Sequence, residues 1–401
     1  MTSKEISALG EVDLTIAAET TQEPFLDKIV DEYESRYPNV HVSVRYKSFE
    51  DHMATVLNTA AGANPPDLIE GNNGHAVDGM LVEAGLIRPL DDVAKVYGWL
   101  DGVGAKNLTP AMWTEDGSTF GTGKLFGISG TGEVLSLYYN ADKLKDLNIP
   151  VPKDIGELSR SLPAIKAAGE TPLILGNSDQ WSATHIFSAL AAQHVKAQDV
   201  RAWIGGKKGE TFTGKANVQA TQEIAEWVRA GYFNRDYNGI NNVEARAQFA
   251  AGKGVFFIGG SWNGTGFQNV SAIHAAPLPQ GGVGGLSQPW HISTSTHHLL
   301  PAVAFLAMMQ EKSAAQYIAD AGLLPLNTAG VGADSTLQQE TIKNMKTVVA
   351  AGTTFGYYDY ATVDMGTVMG RALQEAMAGR TTAEQFTHTV QKAWEKGRSK
   401  E

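Results

Sequence analysis

The chain of 401 residues contains no cysteine. That excludes disulfides, thiolate metal ligands and a cysteine nucleophile. It also lacks any apolar run near the ~18–20 residues that a membrane-spanning helix needs. Its opening segment, MTSKEISALGE, carries no apolar signal region. Basic surface is scarce: the formal net charge is −11, and Lys207-Lys208 is an isolated pair. A broad nucleic-acid interface is therefore excluded, because nothing offsets phosphate repulsion. The usual catalytic signatures are missing as well. The ten histidines form no H-E-x-x-H pattern, and the adjacent His297-His298 cannot place both rings on one metal by helix spacing. GTGK at 121–124 is followed by Leu125 rather than Ser or Thr, so it is no phosphate loop. There is no G-x-S-x-G, and no G-x-G-x-x-G follows the first predicted strand. No metal and no cofactor is expected.

What remains is an ordinary globular composition, 43% hydrophobic and 19% charged, in a chain long enough for two domains. Val12, Leu14 and Ile16 alternate as a strand, a helix follows from about Pro24 to Pro38, and Val40, Val42, Val44 and Tyr46 alternate again. A helix near Phe49–Ala61, a strand in PPDLIE and a helix near His75–Ala84 complete β-α-β-α-β-α, the order of a mostly parallel α/β sheet. The middle repeats this style. Strands are predicted at 134–140, 172–176 and 256–260. Helices are predicted around ELSRSLPAIKAAG, broken in two by Pro163, at Ala183–His194 and over 217–233. AIHAAPLP and PWHIST then read as strands, PAVAFLAMMQ as a helix, and the last fifty residues as helical. GGVGG at 281–285 reads as a flexible loop, and three glycosylation sequons (NLT 107–109, NGT 263–265, NVS 269–271) match at chance level. The expected architecture is two α/β lobes, 1–129 with 275–322 and 130–274 with 323–401, a type that closes by hinge motion around a ligand.

The most informative stretch is FAAGKGVFFIGGSW, Phe249 to Trp262. A helix end, a glycine break, a fully apolar strand and a Gly-Gly-Ser turn deliver a tryptophan just past a strand's carboxyl end, where open α/β sheets bind ligands. Other strands end in polar loops: Glu19-Thr20-Thr21, Glu50-Asp51, Asn72-Asn73, Asn177 to Trp181 and Ser261-Trp262. Amides, hydroxyls and carboxylates bond sugar hydroxyls while indoles pack on C–H faces, although each loop alone reads equally well as a helix cap. Among the eight tryptophans, Trp181, Trp262 and Trp290 adjoin strand signals and are the site candidates, whereas Trp227 and Trp394 lie on amphipathic helices and belong to cores. Trp99, Trp113 and Trp203 are not placed by pattern. Glu19, Asp51 and Glu133 also admit a carboxylate pair for glycoside cleavage, and carboxylates with indoles suit a polyamine. The residues alone leave receptor and enzyme open.

FLDKIVDEYESRYPNVHVSV, NPPDLIE, VEAGLIRPLDD, DGSTFGTGKLFGI with EVLSLYYNADKL, FAAGKGVFFIGGSW and MAGRTTAEQF, in this order, resemble the extracellular solute-binding proteins of ABC sugar importers, the maltose-binding-protein-like group. The resemblance implies a type II periplasmic-binding-protein-like α/β fold: two lobes, a hinge, and a ligand cleft between them. It implies a monomeric, non-catalytic receptor that passes a mono- or oligosaccharide to membrane permease subunits. Glu133 looks like the family's hinge-proximal carboxylate, Trp262 like its stacking aromatic, and Trp181 and His185 lie where a further contact is often added. Glu19 to Thr21 and Asn72 or Asn73 occupy loops that contact ligand. The chain departs from the pattern near its C-terminus. DMGTVMGR stands where maltose-binding protein has a stacking tryptophan, which weighs against a maltodextrin and leaves Tyr357, Tyr358 or Asp364 to compensate. Export to the outer membrane face or periplasm is implied too. Gram-positive relatives are lipid-anchored through an N-terminal cysteine, so a leader and its lipid-bearing residue are expected outside this sequence.

Overall fold

A computed structural model describes residues 3–102, 108–278, 283–351 and 355–398. Asn107 of the first sequon, Gly281 and Gly282 of GGVGG, and Met1 and Thr2 lie outside the described residues. The chain divides into two compact units, Met1–Gly132 with Leu286–Gly332 and Glu133–Gly285 with Ala333–Glu401. Expected crossings at 129/130, 274/275 and 322/323 compare with observed ones after Gly132, Gly285 and Gly332. No helix among the described residues is long and apolar enough to cross a membrane.

The first unit is built on a four-stranded sheet. β1 (Val12–Glu19) pairs in parallel with β2 (Val40–Lys47) over its full length and with β3 (Leu68–Glu70) on its other side. The strand Trp290–Ile292 returns late in the chain and adds antiparallel to β3, with Trp290 opposite Glu70 and His291 opposite Ile69. β2 is the edge strand, and its alternating buried and exposed residues show it. β1 sits inside and becomes fully buried along its second half. The connecting helices Glu23–Arg36 and Phe49–Ala60 lie where the apolar spacing predicts them. The expected helix near 75–84 begins with a π-helical turn, His75–Gly79, before Met80–Glu83.

The second unit centres on the strand Thr131–Asn140, which starts in the first unit and runs into the second. Its later residues pair antiparallel with Phe256–Gly260 and with Ile273–Pro277. Two expectations fail here. The segment 172–176 is not a strand: Leu173 makes single bridges to Phe233 and Phe256. Pro163 does not split its helix, which runs from Ile155 to Ala167. One lost backbone hydrogen bond is outweighed by the buried face of Leu158, Leu162 and Ile165. Core aromatics pack in a chain, with Phe187, Phe212, Trp203 and Trp394 in successive ring contacts.

Candidate functional site

The apolar strand Phe256–Gly260 is buried along its whole length and ends in a single 3-10 segment, Ser261–Gly266. The Asn241 capping box fixes the start of the preceding helix, Asn242–Ala250. At the turn, the Trp262 indole folds back over Gly260, and a Cβ at position 260 would overlap the ring. Glycine is therefore the residue that lets the indole lie against the backbone. The Gly260 carbonyl accepts from Tyr138 Oη at 3.2 Å and from Asn263 Nδ2 at 3.0 Å, which pins the turn. Asn263 is fully buried, so its sequon is not accessible.

Trp262 belongs to a ring cluster assembled entirely within the second unit. His185, on the helix Ser182–Ala191, lies 5.5 Å from Trp262 and 4.4 Å from Tyr357, centroid to centroid. Trp181, just before that helix and four residues before His185, stands 5.1 Å from His185 and 6.3 Å from Trp262. Tyr357 contacts Trp262 at 6.4 Å and Tyr360 at 5.6 Å. Tyr360 donates its hydroxyl to Glu133 Oε1 at 3.2 Å. Both indoles are half-buried. Trp181 Nε1 and Tyr357 Oη are buried donors with no protein partner among the described residues. The rings meet tilted or edge-on, the preferred geometry of interacting aromatics.

Burial dominates the electrostatics of the cluster. Burial pushes the His185 pKa down to about 3, so its imidazole is neutral at physiological pH. Burial, with the charges of Glu133 and Asp359, lifts Tyr357 well above the usual phenol value. Burial raises Asp359 to about 6. The arrangement pairs apolar ring faces with hydrogen-bonding groups, which suits an amphipathic ligand such as a saccharide. Among the described residues no group of three or more metal-ligating side chains is present.

Six expected residues, Glu133, Trp181, His185, Ser261, Trp262 and Tyr357, thus come together at or beside this cluster. Ser261 accepts from the Val134 backbone N–H at 3.4 Å. Asp364 is exposed at the start of the helix Met365–Met377 and makes no capping bond. Tyr358 packs instead in the core against Phe187, Trp203 and Phe212. Trp290, expected to face a ligand, is instead packed in the core at 1% exposure, on the strand that aligns with β3. Sequence reasoning missed Tyr360 and Asp359, although the tyrosine-rich run around them was the available signal. A separate surface depression of about 670 Å³, lined by Ser159, Gln219, Glu223 and Tyr232 among others, shares no residue with the cluster.

The first unit gathers the other expected residues at the carboxyl edge of its parallel strands. Glu19 is nearly fully buried and its carboxylate is already committed, accepting from Thr21 N–H at 2.7 Å and Gln22 Nε2 at 3.0 Å. Its own N–H donates to Glu70 Oε2 at 2.7 Å. Glu70, not singled out from the sequence, is fully buried, and burial with the Glu19 charge raises its pKa well above the usual carboxylate value. Thr20 and Asp51 are exposed, and Thr21 is half-buried. Asp51 lies in the first turn of a helix capped by Ser48. Asn73 is buried and donates to the carbonyls of Leu286 and Ser287 at 3.0 and 3.3 Å. Asn72 is half-buried, and its N–H donates to Asp78 Oδ1 at 2.8 Å.

Residues 17–316, three quarters of the chain, match the family model described as bacterial extracellular solute-binding protein. The chain belongs to this family. Its curated relatives include the maltodextrin-binding protein MdxE of Bacillus subtilis (strain 168), 24% identical over 292 residues that cover 68% of this chain and 61% of the relative. Another is the multiple sugar-binding protein of Streptococcus mutans (serotype c, strain ATCC 700610 / UA159), 25% identical over 228 residues and 53% of each chain. The chain thus matches between half and two thirds of the length of these relatives. Among solved structures, a chitin oligosaccharide binding protein superposes with a TM-score of 0.82 at 19% identity, covering 97% of this chain and 99% of that one. The solute-binding fold, with its two α/β lobes, is therefore shared at low sequence identity.

Proposed function

We propose that this solute-binding protein is a receptor that captures an oligosaccharide outside the cytoplasm and delivers it to the permease of an ABC importer. The observation that carries the reading is the convergence of Trp181, His185, Trp262 and Tyr357 with the Glu133–Tyr360 pair in one cluster. A sugar ring stacks its C–H face on an indole, and Trp181 Nε1 and Tyr357 Oη offer donors to its oxygens. On this reading Thr20, Thr21, Asp51, Asn72 and Asn73 form a polar edge for ligand hydroxyls, and Glu19 and Glu70 shape that edge from beneath. Relatives named for maltodextrin and multiple sugars favour a saccharide over a polyamine. The receptor is monomeric, performs no turnover and is held at the outer membrane face by a lipid anchor or is free in the periplasm.

A thermal-shift screen against mono-, di- and trisaccharides tests this. A true ligand at 100 times its dissociation constant stabilises the fold by about 2.7 kcal/mol. Chromatography of the same mixtures checks for cleavage: released products, or the absence of any stabilising sugar, would overturn the reading.

A further inference from the structure

His291 lies in the strand Trp290–Ile292, and Asp78 in the π-helical turn that follows β3. Both side chains are completely buried, with His291 Nε2 3.0 Å from Asp78 Oδ1. The other ring nitrogen, Nδ1, lies 2.9 Å from the carbonyl oxygen of Phe126. A carbonyl only accepts, so Nδ1 carries a hydrogen. Asp78 Oδ1 already accepts the Asn72 N–H at 2.8 Å, and Asp78 Oδ2 has no partner among the described residues. A proton on Oδ2 would have no acceptor among the described residues, whereas one proton between Nε2 and Oδ1 bonds the two side chains. Glycines make the approach possible: a Cβ at Gly71 would overlap both Asp78 Oδ1 and His291 Nε2, and one at Gly127 would press on the imidazole.

We propose that His291 and Asp78 form a one-proton strut that positions the loop leaving β3, Gly71 to Asn73, and with it the polar edge of the first unit. Neither residue touches ligand; both are positioning residues. That part of the proposal which concerns affinity rests on the reading of Asn72 and Asn73 as saccharide contacts. π-Helical turns recur at functional sites, and this one carries the acceptor that holds Asn72. Burial opposes the imidazolium, but the Asp78 carboxylate and the Phe126 carbonyl outweigh it and raise the His291 pKa. Burial raises Asp78 in turn, while His291 and the Asn72 N–H pull it back. Titratable groups on the packed elements have other partners: His52 Nε2 lies 2.8 Å from the Glu70 carbonyl oxygen. His75 packs on Trp113 at 4.9 Å, Glu70 holds the Glu19 N–H, and Lys124 pairs with Glu115. When rising pH removes the shared proton, the buried carboxylate loses the counter-charge 3.0 Å away, and repulsion between the Nε2 lone pair and Oδ1 loosens the Asn72 anchor.

Imidazole nitrogen NMR on the whole protein, with hydrogen exchange of the peptide containing Asn72, tests the strut. The expected result is an Asn72 amide protected at about pH 6.5, His291 Nε2 still protonated there, and loss of both at one common midpoint above that ordinary imidazole value. Asp78→Asn is expected to speed Asn72 exchange at least tenfold while cooperative unfolding persists. It is also expected to weaken saccharide binding several-fold with the indole quench at saturation unchanged. A His291 midpoint at or below the ordinary imidazole value of about 6.5, or Asn72 exchange that follows only the intrinsic pH dependence, would overturn the proposal. If Asp78→Asn does not fold, the wild-type pH series decides alone. If the wild type binds no saccharide, the proposed function fails while the imidazole and exchange measurements still decide the strut.

Discussion

The two candidate surfaces are built on opposite principles. The edge of the first unit is made of polar groups largely committed to the protein: Glu19 holds Thr21 and Gln22, Asn73 holds two carbonyls, and Asp78 holds Asn72. The cluster of the second unit is made of rings whose contacts are mostly with one another, and two of its buried donors have no partner among the described residues. Unbonded buried donors cost roughly 1–3 kcal/mol each, a cost that a ligand oxygen removes. Affinity is thus expected to come chiefly from the rings, and hydroxyl discrimination from the polar edge.

The sharpest way to break this contrast is Trp262→Ala. Loss of a central aromatic anchor typically costs ~2 kcal/mol or more, so affinity by calorimetry should fall by about thirtyfold or more, with the fold retained. Gly260→Ala comes next. Its methyl displaces the indole, and overpacking costs typically 1–3 kcal/mol, so both binding and thermal stability should drop. Asn72→Ala is expected to be milder, about fivefold, the worth of a typical hydrogen bond, and to alter preference among sugar epimers more than overall affinity. An equal or larger loss from Asn72→Ala than from Trp262→Ala would invert the contrast.

The last effect is confined to acid pH. His185 has a pKa of about 3 in the fold, below its unfolded value. The unfolded chain therefore takes up the proton first, and the contribution of a neutral His185 is complete above the ordinary imidazole value of about 6.5 and fades as pH falls toward 3. His185→Gln should flatten the decline of melting temperature over that window. Asp359, raised to about 6, acts in the opposite sense, favouring the fold as it is protonated between about 6 and 4.

Much of this was legible in the sequence, for identifiable reasons. Alternation in β1 and β2 and the apolar run before Gly259-Gly260 state their burial directly, and the run placed Trp262 at a strand end. Trp290 was misjudged because a tryptophan beside a strand signal looks the same whether its ring faces a ligand or a core. Only its burial in the folded unit decides, and β3, the strand it aligns with, lies some 220 residues earlier in the chain. Pro163 was overweighted because local propensity cannot see the buried face that keeps its helix whole. The His291–Asp78 pair is invisible in sequence for the same reason as Trp290: its members meet only when the late strand joins β3.

The most direct measurement is an indole NMR titration of the protein with the best saccharide from the thermal screen. The account predicts that the Nε1–H signals of Trp181 and Trp262 shift and saturate with the ligand, while those of the core residues Trp227 and Trp394 stay fixed. A sugar that binds and leaves Trp181 and Trp262 unmoved would contradict it.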